Sequence, residues 1–262
     1  MKVVVPFVEQ DSIVRKIWGK ADTVMFIFAG SAAEFALNKA VDWLYFTGKL
    51  PADPIARLFS TVTYARSIIF ADFDAANKSI DKITSIHAAV EQNRNAAIPD
   101  WAYRDVLYML IHYSVAAYEL LERKLNAEEK EEVFNVFLRV GERMSLKALP
   151  SNYKAWKADY VLHLQNDLAK SNFTTDLFKQ YKKHLGAFRY YILIEAQKLL
   201  VPKRVHELLG FGNFSMMQLI VPSYKICRLI KLDGILKAAV LPDQYKPQVK
   251  DLDIVGGEWL SS

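Results

Sequence analysis

Cysteine, glycine and proline are all scarce in this chain of 262 residues, which contains one Cys, 10 Gly and 9 Pro. The single cysteine, Cys227, excludes an intramolecular disulfide, so folding requires no oxidising compartment. An isolated cysteine on an apolar helix is most often packed, and we interpret Cys227 in that way. The small number of glycines and prolines argues against a turn-rich β protein and against a disordered chain.

Long hydrophobic runs are also missing. The longest, from Thr23 to Ala33, ends at Glu34 and is too short to cross a bilayer. The N-terminal residues lack the apolar core of a signal peptide, because Glu9 and Asp11 follow closely on a short valine run. We therefore expect a soluble, cytoplasmic protein without a membrane span.

The chain has no motif of a common enzyme class or of a nucleic-acid-binding protein. Its net charge is +5, but basic and acidic residues are interspersed, which indicates a solvated surface of mixed charge and no nucleic-acid partner. It contains no glycine-rich phosphate loop and no Gly-x-Ser-x-Gly nucleophile elbow. The Glu-x-x-His pairs of helical di-iron proteins are absent as well.

Apolar and aromatic side chains, by contrast, are plentiful: 52% of the residues are hydrophobic and 13% are aromatic. A chain of this composition can bury a large core and also line an apolar cavity. Helix caps and apolar spacing predict an all-α fold, with a single globular domain of many helices. Residues 1–11 are expected to form an N-terminal extension and residues 248–262 a C-terminal tail.

One helix is expected at the centre of the domain. The segment from Trp101 to Leu125 is apolar on most faces, as a helix surrounded by others must be. We also predict one long helix that starts after Asp22 and ends near Gly48. A further helix should begin at Pro54 with the preceding aspartate as its N-cap, because proline suits the first helical position.

Four polar side chains on apolar helices are the candidate functional residues. Arg57 and Thr61 are four residues apart and share one helix face, while His87 and His112 each lie in an apolar neighbourhood. A histidine in such a setting is most often a hydrogen-bonded core residue, and the spacing contains no compact metal-ligand pattern. Spacing alone therefore leaves packing and metal or haem ligation open, and favours packing. His163, between two leucines, is interpreted as packing.

The order of these residues resembles the rubber oxygenase catalytic domain family, which includes latex-clearing protein and the MpaB-type oxygenases. The resemblance rests on the run Asp-Pro-x-x-Arg-Leu-x-x-Thr at residues 53–61, followed by His87 and then His112, and it covers residues 12–247. It implies an all-α fold that binds haem b. It implies that His87 ligates the iron and that Arg57 and Thr61 lie beside the haem. His112 would then either accept a hydrogen bond that fixes the orientation of His87 or ligate the iron in its place.

Two functions of different classes follow from these observations. The first is a haem-dependent oxygenase that acts with dioxygen on a hydrophobic substrate such as an isoprenoid. The second is a non-enzymatic helical protein of the same fold that binds lipids or other hydrophobic molecules without a cofactor. The family resemblance favours the first, and the presence or absence of a Soret absorbance band distinguishes them.

Overall fold

The computed structural model describes residues 5–48, 52–212 and 214–229, with side chains described up to Tyr224. Within these ranges the chain forms eleven helices, and its only β pairings are two isolated bridges, so the predicted all-α fold is confirmed. The helices are α1 (Ile13–Trp18), α2 (Ala21–Phe35), α3 (Asp42–Phe46), α4 (Pro54–Ile69), α5 (Phe73–Arg94), α6 (Asp100–Leu121), α7 (Ala127–Arg143), α8 (Tyr153–Asn166), α9 (Asn172–Leu200), α10 (Lys203–Leu209) and α11 (Met217–Leu229). The predicted tail at 248–262 and the side chain of Cys227 lie outside the described residues.

Helix α6 lies at the centre of the domain, as its apolar sequence predicts. It contacts α1, α2, α7, α8 and α9. Its buried side chains include polar groups, and one of them, Ser114, accepts a hydrogen bond of 3.0 Å from the indole N–H of Trp18. The helix ends at Leu121, four residues before the predicted end, because Glu122 leaves the helical region with φ −116° and ψ −100°.

Small residues let α2 pack closely on α6. Ala29, Gly30 and Ala33 are buried along α2, and the longest apolar run of the sequence lies in this helix. None of the helices in the described ranges is both long and apolar enough to cross a membrane. The close packing carries Glu34, near the C-terminal end of α2, into the core, where it is fully buried.

The predicted single helix from Asp22 to Gly48 is wrong, because α2 ends at Phe35. The backbone beyond it pairs with the segment that follows α8: Lys39 N–H donates to the Asp167 carbonyl at 3.0 Å, and Ala169 N–H donates to the Leu37 carbonyl at 2.8 Å. These long-range hydrogen bonds replace the next helical turns. They also hold the C-terminal end of α8 beside the C-terminal end of α2.

Helix α4 begins as predicted. The Asp53 carboxylate accepts a hydrogen bond of 2.9 Å from Ala56 N–H, and Pro54 occupies the first turn.

Helix α9 is bent at Gly186, whose φ of 74° lies in the left-handed region that glycine adopts without strain. Helix α9 contacts both α2 and α4.

Candidate functional site

Packing of α4 against α5 brings Arg57 close to His87. The Arg57 guanidinium is mostly buried and donates from Nη1 to the Ser60 hydroxyl at 2.9 Å. Thr61 donates its hydroxyl to the Arg57 carbonyl at 3.3 Å, within its own helix. The structure therefore places one permanent cation beside the predicted iron ligand.

His87 is a half-buried, neutral imidazole. Burial lowers its pKa, and the positive charge of Arg57 lowers the pKa further, against the opposing effect of Glu91. The ring packs edge-on to Tyr103 with 5.1 Å between centroids. Its Nδ1 atom is buried and has no hydrogen-bond partner among the described residues. A neutral histidine with a free ring nitrogen is able to ligate a metal.

His112 occupies a different environment on α6. Its ring lies 4.8 Å from the ring of Tyr113 and 5.0 Å from that of Tyr160, measured between centroids. Burial lowers the pKa of His112 to about 4, although a hydrogen bond with the Leu200 backbone opposes the shift. The ring of His112 therefore packs against Tyr113 and Tyr160, whereas the ring of His87 packs against Tyr103.

A second polar group, which the sequence did not predict, lies in the core. Glu34 of α2, Asp105 of α6 and His163 of α8 are all buried, and one ligand atom from each lies within 4.8 Å of the others. His163 Nε2 contacts Asp105 Oδ1, and Nδ1 lies 2.9 Å from Asp167 Oδ2. His163 therefore makes polar contacts through both ring nitrogens and is not a simple packing residue.

Two tyrosines hold the Glu34 carboxylate. The hydroxyls of Tyr113 and Tyr160 both donate to Glu34 Oε2, at 2.8 Å and 2.6 Å. Burial, and then the negative charge of Asp105, raise the pKa of Glu34, and burial also raises the pKa of Asp105. For His163, burial lowers the pKa, but the contact with Asp105 outweighs it and the net shift is upward. Glu34, Asp105 and His163 therefore form a buried acid–base cluster.

The sequence does contain a weak signal for this cluster. Glu34 ends the longest apolar run, and Asp105 stands in the most apolar predicted helix, where an acid is unexpected. His163 is flanked by two leucines. Each of these features marks a polar residue in an apolar setting, but none indicates which partner it meets.

An apolar cavity of 310 Å³ lies between α2, α4, α9 and α11. Aromatic and aliphatic side chains form most of its wall, among them Phe26, Phe28, Leu58, Phe59, Phe188 and Ile192. The polar part of the wall consists of Arg189, Asp22 and Tyr224, and the Tyr224 hydroxyl donates to Asp22 at 2.9 Å. His87 does not line this cavity.

A family model described as "ER-bound oxygenase mpaB/B'/Rubber oxygenase, catalytic domain" matches residues 17–230 of the chain. The matched range includes the residues Arg57 to His112, the buried cluster and the cavity. Comparisons with curated proteins and with solved structures found no match. The family match confirms the resemblance that the sequence showed.

Proposed function

The chain belongs to the family of ER-bound oxygenase mpaB and rubber oxygenase catalytic domains, and from that premise we propose that it oxidises a hydrophobic small molecule with dioxygen, using haem b. We assign His87 as the iron ligand. The observation that supports this assignment most directly is the buried Nδ1 of a neutral imidazole, which has no hydrogen-bond partner among the described residues and lies beside the partly buried Arg57 guanidinium.

The residues around His87 fit a haem. A histidine must be neutral to ligate iron, and both burial and the charge of Arg57 favour the neutral form of His87. Arg57 provides a fixed cation that binds a carboxylate such as a haem propionate. Among the described residues, few side chains cover the C-terminal half of α5, and Ile86, next to the ligand, is 41% exposed, so this face can accept a flat group. Bound haem would supply the iron chemistry that activates dioxygen.

The cavity supports an apolar substrate. Its volume of 310 Å³ falls at the lower end of the range of about 300–1,000 Å³ that is usual for small-molecule sites. An apolar wall with a few polar groups at one place binds a hydrophobic molecule and fixes the orientation of a polar end. Arg189 and the Asp22–Tyr224 pair are the groups that would orient such an end.

One observation favours the second candidate function, a hydrophobe-binding protein without a cofactor. The cavity is formed by α2, α4, α9 and α11, whereas His87 belongs to α5 and does not contribute to its wall. Binding of an apolar ligand in the cavity therefore needs no haem. The two candidates differ in one measurable property, the stoichiometric uptake of haem.

The test is haem titration of the purified full-length chain. We expect a Soret band and one haem per chain by the pyridine haemochrome assay, with loss of the ligated spectrum in His87→Ala. His112→Ala is the matched control, because this histidine also lies on an apolar helix, and it should keep the wild-type spectrum. A wild-type protein that stays colourless yet binds a fluorescent apolar probe would establish the second candidate instead.

A further inference from the structure

We propose that Glu34, Asp105 and His163 form a separate binding site for one divalent transition-metal ion of the manganese, iron or zinc type. The site lies on α2, α6 and α8, and it does not depend on haem binding at His87. One imidazole and two carboxylates are ligands that these ions accept. Three protein ligands leave a coordination position for water or another small ligand.

The dimensions of the cluster suit a metal ion. The three ligand atoms lie within 4.8 Å of one another, and the side chains of Glu34 and Asp105 are fully buried. Bonds of about 2.0–2.2 Å from metal to nitrogen or oxygen place neighbouring ligand atoms about 3 Å apart. Small side-chain movements on metal binding would produce this geometry. His163 Nε2 and Asp105 Oδ1 would move slightly apart, and the Glu34 carboxylate would move towards both atoms.

Asp167 orients His163 as metal sites require. Its Oδ2 atom lies 2.9 Å from His163 Nδ1, and since a carboxylate only accepts hydrogen bonds, Nδ1 carries the proton. Nε2 then faces the Asp105 carboxylate, which is also only an acceptor. A cation must stand between these two atoms, either a proton or a metal ion. A carboxylate that holds the far nitrogen of a metal-bound histidine is a recurring arrangement in metalloproteins.

The charge of the cluster also points to a cation. In the part of the chain that the structure describes, no lysine or arginine forms an ion pair with Glu34 or Asp105, although both carboxylates are buried. Tyr113 and Tyr160 donate to Glu34 Oε2, and Oε1 is buried without a hydrogen-bond partner among the described side chains and backbone groups. Buried carboxylates are normally paired or bound to a metal, and one divalent ion neutralises two of them.

Asp167 also provides the route by which an ion reaches the site. Its side chain is 25% exposed, whereas that of His163 behind it is 6% exposed. An ion therefore meets a partly solvated carboxylate first and the buried ligands next. The alternative is a metal-free cluster in which protons take the place of the ion, and metal binding by the wild-type protein separates the two.

The first experiment uses the full-length wild-type protein, stripped with a chelator and incubated with Mn²⁺, Zn²⁺, Co²⁺ or, anaerobically, Fe²⁺. Bound metal is measured by plasma mass spectrometry after gel filtration, and haem iron, determined as pyridine haemochrome, is subtracted. We expect one non-haem ion per chain and a rise in the melting temperature. With Co²⁺ we expect visible d–d absorption and a paramagnetically shifted N–H proton from His163.

Variants then locate the ion. Glu34→Gln and Asp105→Asn should lose tight binding, and Asp167→Asn should bind about 10–100-fold more weakly, as is usual when the group that orients a metal-bound histidine is removed. Glu195→Gln is the matched control, because Glu195 is a buried carboxylate that is paired with Lys198 at 2.6 Å. Wild-type affinity in both ligand variants would overturn the proposal. If the variants do not fold, metal binding by the wild-type protein is the deciding measurement. The absence of both bound metal and the Co²⁺ spectrum in the wild-type protein would overturn the proposal.

Discussion

Gly30 of α2 lies directly against the ring of Tyr113 on α6: a Cβ atom on Gly30 would stand 2.2 Å from Cδ1 of the tyrosine. This contact fixes how closely the two helices approach. Tyr113 also donates its hydroxyl to Glu34 at 2.8 Å, one turn further along α2. One aromatic side chain therefore joins the packing of the central helix to the buried polar cluster.

Gly30→Ala should destabilise the protein by about 1–3 kcal/mol, because the new methyl group overlaps the Tyr113 ring inside a packed core. Alanine has the higher helix propensity, by about 1 kcal/mol, but the steric cost outweighs this gain. Urea denaturation measures the difference. Gly212→Ala is the control, because a Cβ there meets no atom within 4 Å, and it should change stability by less than about 0.5 kcal/mol. A Gly30→Ala protein as stable as the wild type would contradict the tight α2–α6 contact.

His112 should make the protein less stable as the pH falls from 6.5 to 4. Burial lowers its pKa from 6.5 to about 4, so in this window the unfolded chain binds a proton that the folded chain does not. The charge of nearby Lys157 acts in the same direction. The loss amounts to at most about 3 kcal/mol at the lower end of the window.

Replacement tests this linkage. In His112→Gln, the free energy of unfolding measured by urea denaturation at a series of pH values should depend less steeply on pH between 6.5 and 4. His206→Gln changes a partly exposed histidine on α10 and should keep the wild-type slope. Equal slopes in all three proteins would show that the His112 ring is already protonated or accessible in the native state.

Arg57→Gln should raise the pKa of His87. The guanidinium charge is one of the two causes that lower this pKa, and glutamine keeps a polar side chain while it removes the charge. The pKa is read from the pH titration of the His87 ring protons by NMR. Ser60→Ala serves as the control, because it removes the hydrogen-bond partner of Arg57 at 2.9 Å and leaves the charge in place. An unchanged pKa in Arg57→Gln would mean that the two side chains are not neighbours in solution.

Ile192→Trp should block the apolar cavity. The larger ring occupies part of the 310 Å³ between α2, α4, α9 and α11, so binding of a fluorescent apolar probe should weaken by roughly tenfold, or about 1.4 kcal/mol. Haem uptake should be unchanged, because His87 lies outside the cavity wall. Leu162→Trp, at a residue that is 54% exposed on α8, controls for the added aromatic surface. Equal probe affinity in the two variants would place the probe elsewhere.

The sequence by itself determined the helical class and the local features of the chain. Helix caps and apolar spacing are local features that involve only a few neighbouring residues. Asp53 and Pro54 therefore predicted the start of α4, and the apolar run after Trp101 predicted the central helix. The same local geometry placed Arg57 and Thr61 on one helix face. The predicted site residues could be named because their spacing along the chain resembles that of a family.

Only the tertiary structure decided which side chains meet across helices. Glu34, Asp105 and His163 come from three helices and are brought together by the packing of α2 and α8 against α6. The early end of α2 has the same origin, because the backbone just beyond it, at Leu37 and Lys39, forms hydrogen bonds with Ala169 and Asp167, far along the chain. Helix spacing repeats every 3.6 residues, but the depth and register at which two helices pack depend on side chains of both. A single sequence shows the helical period, but it does not show the depth or register at which two helices pack.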